Sequence, residues 1–135
     1  MTITPVEVTV NHNSVAYKGQ YMSIEDTELG YTTEFGFLGF TLFCENSEGA
    51  VRVDSLTLDA QPSAPGEGRV PTASGLAQIA EVLRIAERKT WESLRGAVVL
   101  VLSDDAGRVQ GIANPKTGDI FVFTDFAVKL KKIHA

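Results

Sequence analysis

The carboxylates with the clearest chemical potential lie in one short acidic segment. Glu25, Asp26 and Glu28 belong to EDTELGYTTEFG (25–36), which contains no lysine or arginine. Neighbouring carboxylates can serve as general acid and base, or can hold a hard cation through their oxygens. The spacing does not match an EF-hand, and like charges repel one another, so the segment is predicted to be a solvated turn or loop. A small metal-dependent hydrolase is the alternative that rests on this segment.

The imidazoles and the thiol are too few and too far apart to suggest a metal site. His12 and His134 are the only histidines, and Cys44 is the only cysteine. Structural zinc needs four ligands that usually come in short-range pairs, so neither a metal nor a cofactor is predicted. Cys44 lies in the apolar run FTLFCE and is interpreted as a core residue rather than a nucleophile. A single cysteine also fits a reducing compartment, so we expect a cytoplasmic protein.

A segment rich in proline and glycine, AQPSAPGEGRVPTA (60–73), supports a ligand-binding hypothesis. It leads into a helix whose first N–H groups lack helical partners and attract anions. The predicted ligand-binding residues are Arg69, Thr72, Ser74, Gly75 and Trp91. Arg69 would contact the anion, Thr72 or Ser74 would donate a hydroxyl, Gly75 would let the anion approach the backbone, and Trp91 would line the pocket. The alternatives are a solvated arginine, an ordinary helix cap and a core tryptophan.

The strongest helical signal follows that segment, over about residues 74–89. The residues at helical spacing, which are predicted to face the core, are Leu76, Ile79, Ala80, Leu83 and Ala86, and the stripe is widened by Val82 and Ile85. Gln78 falls among the polar residues of the other side. The stretch leads, through the short turn WESL (91–94), to the most apolar run of the chain, AVVLVLS (97–103), which is predicted to be a buried strand.

The rest of the chain resembles a sheet. VEVTV (6–10) alternates apolar and polar residues, as a half-buried edge strand does, and an unprotected edge there predicts a homo-oligomer. FGFLGFTLFCE (35–45) is apolar on both faces and is predicted to be a central strand. The chain is therefore assigned to the α+β class. We expect a mostly antiparallel curved sheet or small barrel of about seven strands with one main helix packed on it, in a single domain (1–135).

Charge and hydropathy argue against two classes of partner. The formal net charge of −5 disfavours broad nucleic-acid binding, which requires a basic face. No apolar run approaches the roughly 18 residues that a transmembrane helix needs, so no membrane partner is expected. A small anionic ligand is still compatible with the composition, because two or three local cations are enough to bind it.

Several motifs together resemble a family of small bacteriophage-encoded proteins of unassigned function. They are DTELG (26–30), the hairpin FGFLGFTLFCENSEGAVRVDSLTLD (35–59), TWESLRG (90–96) and GIAN (111–114). The pattern, D-T-x-L-G, then L-D, then W-E-x-L-x-G, covers about residues 24–126. The chain departs from it at 48–54, where EGAVRVD replaces a glycine-rich aromatic segment. The resemblance implies a phage accessory role and no catalytic residues.

We therefore expect a non-enzymatic phage accessory binding protein that modulates a host or defence process. Its partner would be a host or defence protein, or a small anionic nucleotide that it sequesters. An alternative from another class is a nucleic-acid-binding barrel in phage replication or recombination, whose aromatic residues would stack on bases. No catalytic residues are assigned.

Overall fold

A curved antiparallel sheet of seven strands forms the body of the protein, and one α-helix packs against one of its faces. The computed structural model describes residues 5–31, 37–60 and 68–125. The strands of the sheet are β1 (Glu7–His12), β2 (Val15–Tyr31), β3 (Leu38–Asn46), β4 (Gly49–Asp54), β7 (Val98–Ser103), β8 (Val109–Ala113) and β9 (Ile120–Val122). The helix is α1 (Ala73–Ala86), and β5 (Asp59–Ala60) pairs with β6 (Val70–Pro71) as a separate two-stranded sheet.

The strand order is β4-β3-β2-β7-β8-β9, with β1 added beside the first half of β2. The fold is thus α+β with mostly antiparallel hairpins, as the sequence predicts. Among the described strands the sheet stays open rather than closing into a barrel, although its curvature brings β4 near β8.

The long strand β2 organises the sheet, because three strands pair with it. Its first half pairs with β1 on one edge, and residues Lys18–Ser23 pair with β7 on the other. Its second half pairs with β3 from Ser23 to Tyr31, and the register shifts between Ile24 and Asp26. Such a bulge bends and twists a strand, which explains how one strand can belong to both halves of a curved sheet.

The interpretation of residues 25–36 as a turn or loop is wrong for the part that the structure describes. Residues 25–31 continue β2, while 32–36 lie outside the described residues. Asp26 and Glu28 are exposed alternate residues of the strand, so water screens both carboxylates and their repulsion does not prevent pairing with β3.

The helix begins one residue earlier and ends three residues earlier than predicted. Thr72 is its N-cap, and Glu87 ends it in the left-handed conformation (φ 54°), where its N–H returns to the carbonyl oxygens of Arg84 and Leu83. Val82, Ile85 and Ala86 of the predicted stripe are buried, but Gln78, predicted on the other side, is buried too, and Leu76 is 70% exposed.

Two layers of apolar side chains hold the sheet. The main core lies between the sheet and α1 and includes Ile24, Phe40, Leu42, Val82 and Ile85, all essentially inaccessible to water. The helix is therefore stabilised by one buried stripe, and its first turn is fixed against the segment that contains Leu58.

A second apolar cluster lies on the opposite face of the sheet. Tyr17, Leu100, Leu102 and Val122 form its buried part, and Val8 packs against it. The apolar side of β1 thus contributes to this cluster, as the alternation of residues 6–10 predicts.

Candidate functional site

A shallow apolar groove of about 330 Å³ lies at the N-terminal end of α1. We call it the N-terminal groove. Its walls are Leu38 from β3, Leu58 and Pro71 from the two-stranded sheet and its approach, and Leu76 and Ile79 from the helix. Thr72 and Gly75, two of the predicted ligand-binding residues, also line it. The helix start and the β3 end therefore meet at one apolar surface.

Arg69 is held at the border of this groove by a buried carboxylate. Its Nε donates to Asp59 Oδ2 at 2.9 Å, and the Asp59 side chain is 0% exposed. The Leu38 N–H donates to the same oxygen at 3.3 Å, and the Thr57 hydroxyl donates to Oδ1 at 2.8 Å. The hydrogen bond from Arg69 keeps the pKa of Asp59 below its ordinary value, against the opposing effect of burial, with smaller contributions from Thr57 and Leu38.

This ion pair gives Arg69 a structural role beside the predicted one. A guanidinium that neutralises an inaccessible carboxylate stabilises the β5–β6 connection, because an unpaired buried carboxylate is costly. Contact with an anion stays a prediction, and such a ligand would have to compete with Asp59 for Arg69.

The first turn of α1 is capped by its own side chain. Thr72 Oγ1 accepts the Gly75 N–H at 2.9 Å and donates to the Leu58 carbonyl at 3.2 Å. The hydroxyl of Ser74 is buried and has no hydrogen-bond partner among the described residues. Thr72 thus fulfils the capping alternative, and its hydroxyl is already used within the protein.

Gly75 has a packing reason to be glycine. A Cβ at this position would lie 2.6 Å from the carbonyl carbon and the Cα of Leu58, and closer still to the Leu58 oxygen. The helix therefore approaches the Leu58 backbone as closely as only glycine allows. The approach of an anion to the same backbone stays a prediction.

Trp91 packs into the main core at its edge. Its ring meets Phe40 edge to face, with 5.3 Å between ring centroids. Trp91 follows α1, and it does not line the N-terminal groove. The structure therefore brings Thr72 and Gly75 together in the groove, with Arg69 at its border, while Trp91 lies apart in the core.

Exposed apolar side chains continue the groove along the end of the sheet. Tyr31 of β2 is cross-strand neighbour to Leu38, and Leu29 is neighbour to Phe40, so both lie on the face that carries the helix. Tyr31 is 62% exposed and Leu29 is 45% exposed, and Leu76 projects from α1 on the other side. We call this surface, formed by Leu29, Tyr31, Leu38, Val70 and Leu76, the apolar end.

The carboxylates of residues 25–28 favour a loop in the sequence and so hide the strand to which Leu29 and Tyr31 belong. Thr27, Leu29 and Tyr31 alternate with Asp26, Glu28 and Gly30, which is the pattern of a strand with one polar face. That alternation is the signal that could have identified Leu29 and Tyr31 as surface residues of a strand.

A second concavity, the C-terminal cleft, lies where α1 ends. It encloses about 560 Å³ and is lined by Tyr21, Glu87, Arg88, Asn114 and Lys116, among others. Asn114 holds one wall of the cleft against the end of α1, because its Nδ2 donates to the Ile85 carbonyl and to Glu87 Oε1, both at 2.8 Å.

The Oδ1 of Asn114 accepts the backbone N–H of Lys116 at 2.7 Å and that of Thr117 at 3.0 Å. Each polar atom of this buried amide is therefore paired, and the amide fixes the turn between β8 and β9 against the helix. Nothing in the sequence singles out this cleft, because its residues come from four separate segments.

The thiol and the acidic residues do not assemble into a reactive centre within 5–31, 37–60 and 68–125. Cys44 is fully buried in the main core, and burial raises its pKa to about 12. In these ranges no three histidine, cysteine, aspartate or glutamate side chains lie together as metal ligands. None of the helices in these ranges has the length and apolar character to span a bilayer.

The fold and these surfaces define an α+β protein with an apolar groove at one end of its helix and a polar cleft at the other. Comparison with protein-family models, curated proteins and solved structures yields no match for the chain. The resemblance to small bacteriophage proteins stays a prediction from sequence motifs.

Proposed function

We propose that the protein is a non-enzymatic binding protein that docks a partner protein at its apolar end. In keeping with the motif resemblance, the proposed role is that of a phage accessory protein acting in the host cytoplasm on a host or defence protein. The observation that carries the proposal is the exposure of apolar side chains at this end: Leu76 lines the N-terminal groove, and Tyr31 is the cross-strand neighbour of Leu38 in its wall.

Tyr31 and Leu38 face each other across β2 and β3, so an exposed aromatic ring of β2 adjoins the wall of the groove. Single exposed apolar residues are common, but a contiguous group next to a groove is typical of interaction surfaces. Arg69, two residues before Pro71 of the groove, supplies a partly exposed charge, whereas its partner Asp59 is buried. Aromatic and apolar anchors inside a polar rim are the usual composition of a protein-binding hot spot.

Site-specific photo-crosslinking in host cells tests this proposal. A photoreactive amino acid at Leu76 would be compared with the same residue at Ala106, an exposed turn position between β7 and β8. We expect one protein to be captured at position 76 and not at position 106. Binding of that purified protein should weaken at least tenfold with Leu76→Asp and be unchanged with Ala106→Asp. Equal capture at both positions, or unchanged affinity with Leu76→Asp, would refute the proposal.

Sequestration of a small anionic nucleotide is the second candidate, and the C-terminal cleft favours it. Arg88 and Lys116 supply two cations and Tyr21 supplies an aromatic ring in a concavity large enough for a nucleotide. Calorimetry with linear and cyclic nucleotides would compare Lys116→Ala with Arg69→Ala. Loss of affinity only with Lys116→Ala would place the ligand in the cleft, and loss only with Arg69→Ala would place it at the N-terminal groove. Absence of binding by the wild type would exclude this candidate.

A further inference from the structure

The second half of β2 has one edge to which no strand of the described residues is paired. Pairing with β7 covers Lys18–Ser23 and continues only to Ile24, which bonds with the Gly96 N–H at 2.7 Å and the Ala97 carbonyl at 2.8 Å. Beyond Ile24, the segment that precedes β7 no longer pairs with β2 through its backbone. Its last contact there is the Arg95 side chain, whose Nε donates to the Glu25 carbonyl at 3.1 Å. The edge from Thr27 to Tyr31 on this side, which we call the open edge, follows directly after that contact.

Hydrogen bonds of β3 show where the backbone of the open edge points. The Phe40 N–H donates to Ser55 Oγ and its carbonyl accepts the Ser55 N–H, both at 2.9 Å. The Leu38 carbonyl accepts the Leu58 N–H at 2.9 Å, on the same side. Because both groups of one residue in an antiparallel strand point to the same edge, Leu38 and Phe40 are directed away from β2.

Their cross-strand partners in β2 must therefore also point outward. Leu29 opposes Phe40 and Tyr31 opposes Leu38, so each is a non-hydrogen-bonded pair of the β2–β3 ladder. The N–H and C=O groups of Leu29 and Tyr31 thus face the open edge, as do those of Thr27 by alternation. The Thr27 N–H is taken by Asp26 Oδ1 at 2.9 Å, which leaves the two later residues as the main docking positions.

The side chains at this edge specify the chemistry of an added strand. Leu29 and Tyr31 lie on the face of the apolar end, whereas Asp26 and Glu28 are exposed on the opposite face. Residues of an added strand would alternate between these two faces. Apolar side chains would pack beside Leu29 and Tyr31, and basic side chains would neutralise Asp26 and Glu28.

We propose that the open edge binds an extended segment of another protein as an added strand, and that this segment alternates apolar residues with lysine or arginine. The proposal rests on the proposed function and specifies how its partner is bound. Charge complementarity with the two exposed carboxylates selects the partner. Asp125, the last residue that the structure describes, bonds to His12, which pairs with Val15 at the other end of β2.

Backbone methylation of a peptide tests strand addition without altering the protein. The probe is fluorescein-labelled Val-Lys-Val-Lys-Val-Lys-Val, measured by anisotropy against the full chain. Two further peptides carry N-methyl groups at odd or at even internal positions, which removes N–H donors from one edge of the peptide or from the other. We expect one of them to bind at least tenfold more weakly and the other to bind within about twofold of the probe. No binding of the probe, or equal effects of the two methylation patterns, would overturn the proposal.

Charge reversal tests the selection of basic residues. Glu28→Lys should weaken binding of the lysine peptide at least fivefold and should strengthen binding of Val-Glu-Val-Glu-Val-Glu-Val. Glu48→Lys makes the same change in charge at the exposed β3–β4 turn and should alter neither affinity. Equal responses of the two variants would show a general effect of net charge and would refute the specificity.

Two outcomes separate this inference from the function on which it rests. Capture of a partner at Leu76 with no dependence on methylation pattern would leave the binding function standing and reject strand addition. Peptide binding that depends on the methylation pattern, without any captured partner, would support strand addition at the open edge and reject the proposed function. Displacement of the probe by unlabelled protein, together with a dimeric mass in sedimentation, would show that a second copy occupies the edge and would overturn the choice of another protein.

Discussion

Replacing Gly75 by alanine tests why the helix begins with a glycine in its first turn. In open space, alanine would favour the helix by about 1 kcal/mol. Here its Cβ would lie 2.6 Å from two Leu58 backbone carbons and closer to the Leu58 oxygen, whereas ordinary contact begins at 3.4 Å, so the helix start must retreat by more than about 0.8 Å. Neither partner is a flexible side chain, so the strain cannot be relieved by a rotamer change.

The two effects have opposite signs, and the steric effect should be larger. Overpacking costs roughly 1–3 kcal/mol, and a backbone contact belongs near the upper limit. Subtracting the gain in helix propensity leaves a net loss of about 2 kcal/mol in the free energy of unfolding. For a chain of this size that corresponds to a decrease of roughly 8 °C in Tm.

Thermal unfolding followed by circular dichroism would measure this change. Gly49→Ala is the matched control, because a Cβ at Gly49 meets nothing within 4 Å, and its Tm should change little. A Gly75→Ala protein as stable as the wild type, or more stable, would refute the close-packing argument. It would then favour the other explanation for the glycine, namely access of an anion to the helix N-terminus.

Three further predictions follow from burial and charge. Ile85→Ala should lower the free energy of unfolding by about 2–5 kcal/mol in urea titrations, because Ile85 is inaccessible to water. Leu76→Ala should lower it by under about 0.5 kcal/mol, because Leu76 is exposed. Similar losses in the two variants would mean that α1 buries a different face. Cys44 should resist a disulfide reagent at pH 8 until the protein is unfolded, since its pKa is raised to about 12; rapid labelling of the folded protein would contradict this. Because Asp59 has a lowered pKa, its stabilising effect is complete above the unfolded-state pKa near 3.9 and is lost as the pH falls through the folded-state pKa. Arg69→Gln removes the main cause of the lowered pKa, so it should reduce Tm at neutral pH and make the acid-induced drop in Tm smaller, and an unchanged profile would disprove the coupling.

Strongly apolar or periodic stretches could be predicted from the sequence because their local patterns and tertiary contacts agree. Residues 97–103 form β7 over Val98–Ser103, and the run 35–45 overlaps β3 (Leu38–Asn46), which does lie between two other strands. In both cases nearly every side chain is apolar, so any buried arrangement preserves the strand. The turn after the helix, including the inward position of Trp91, follows for the same reason.

Val82 and Ile85 lie in the stripe that the sequence predicts, but the exposure of Leu76 and the burial of Gln78 could not be predicted, because they depend on a contact that the sequence does not display. Apolar spacing favours Leu76, but the close approach of Gly75 to Leu58 rotates that turn toward the sheet. Gln78 then becomes buried and its Nε2 donates to the Thr57 carbonyl at 3.3 Å. A polar residue that finds a backbone partner can lie inside a core, and its partner is known only once the chain is folded.

The ligand-binding hypothesis was limited by the same lack of tertiary information. In the sequence Arg69 is a cation on an irregular segment. Its partner Asp59 lies ten residues earlier and becomes its neighbour only through the pairing of β5 with β6. Likewise, the cleft at the helix C-terminus depends on Asn114 contacting a helix that ends 28 residues before it. Candidate residues can be identified from the sequence one by one, but the contacts between residues distant in the chain cannot.

The carboxylates of β2 also bear on which molecule can pair with its open edge. If two copies joined through this edge about a two-fold axis, the strands would be antiparallel and Asp26 and Glu28 of both copies would share one face. Like charges on opposing strands destabilise such a pair, and charged edge residues are a common protection against self-association. A basic segment reverses the sign of the same interaction. The acidic residues that suggested a solvated loop therefore favour another protein over a second copy at this edge, and they make the affinity of the lysine peptide decrease as salt concentration rises.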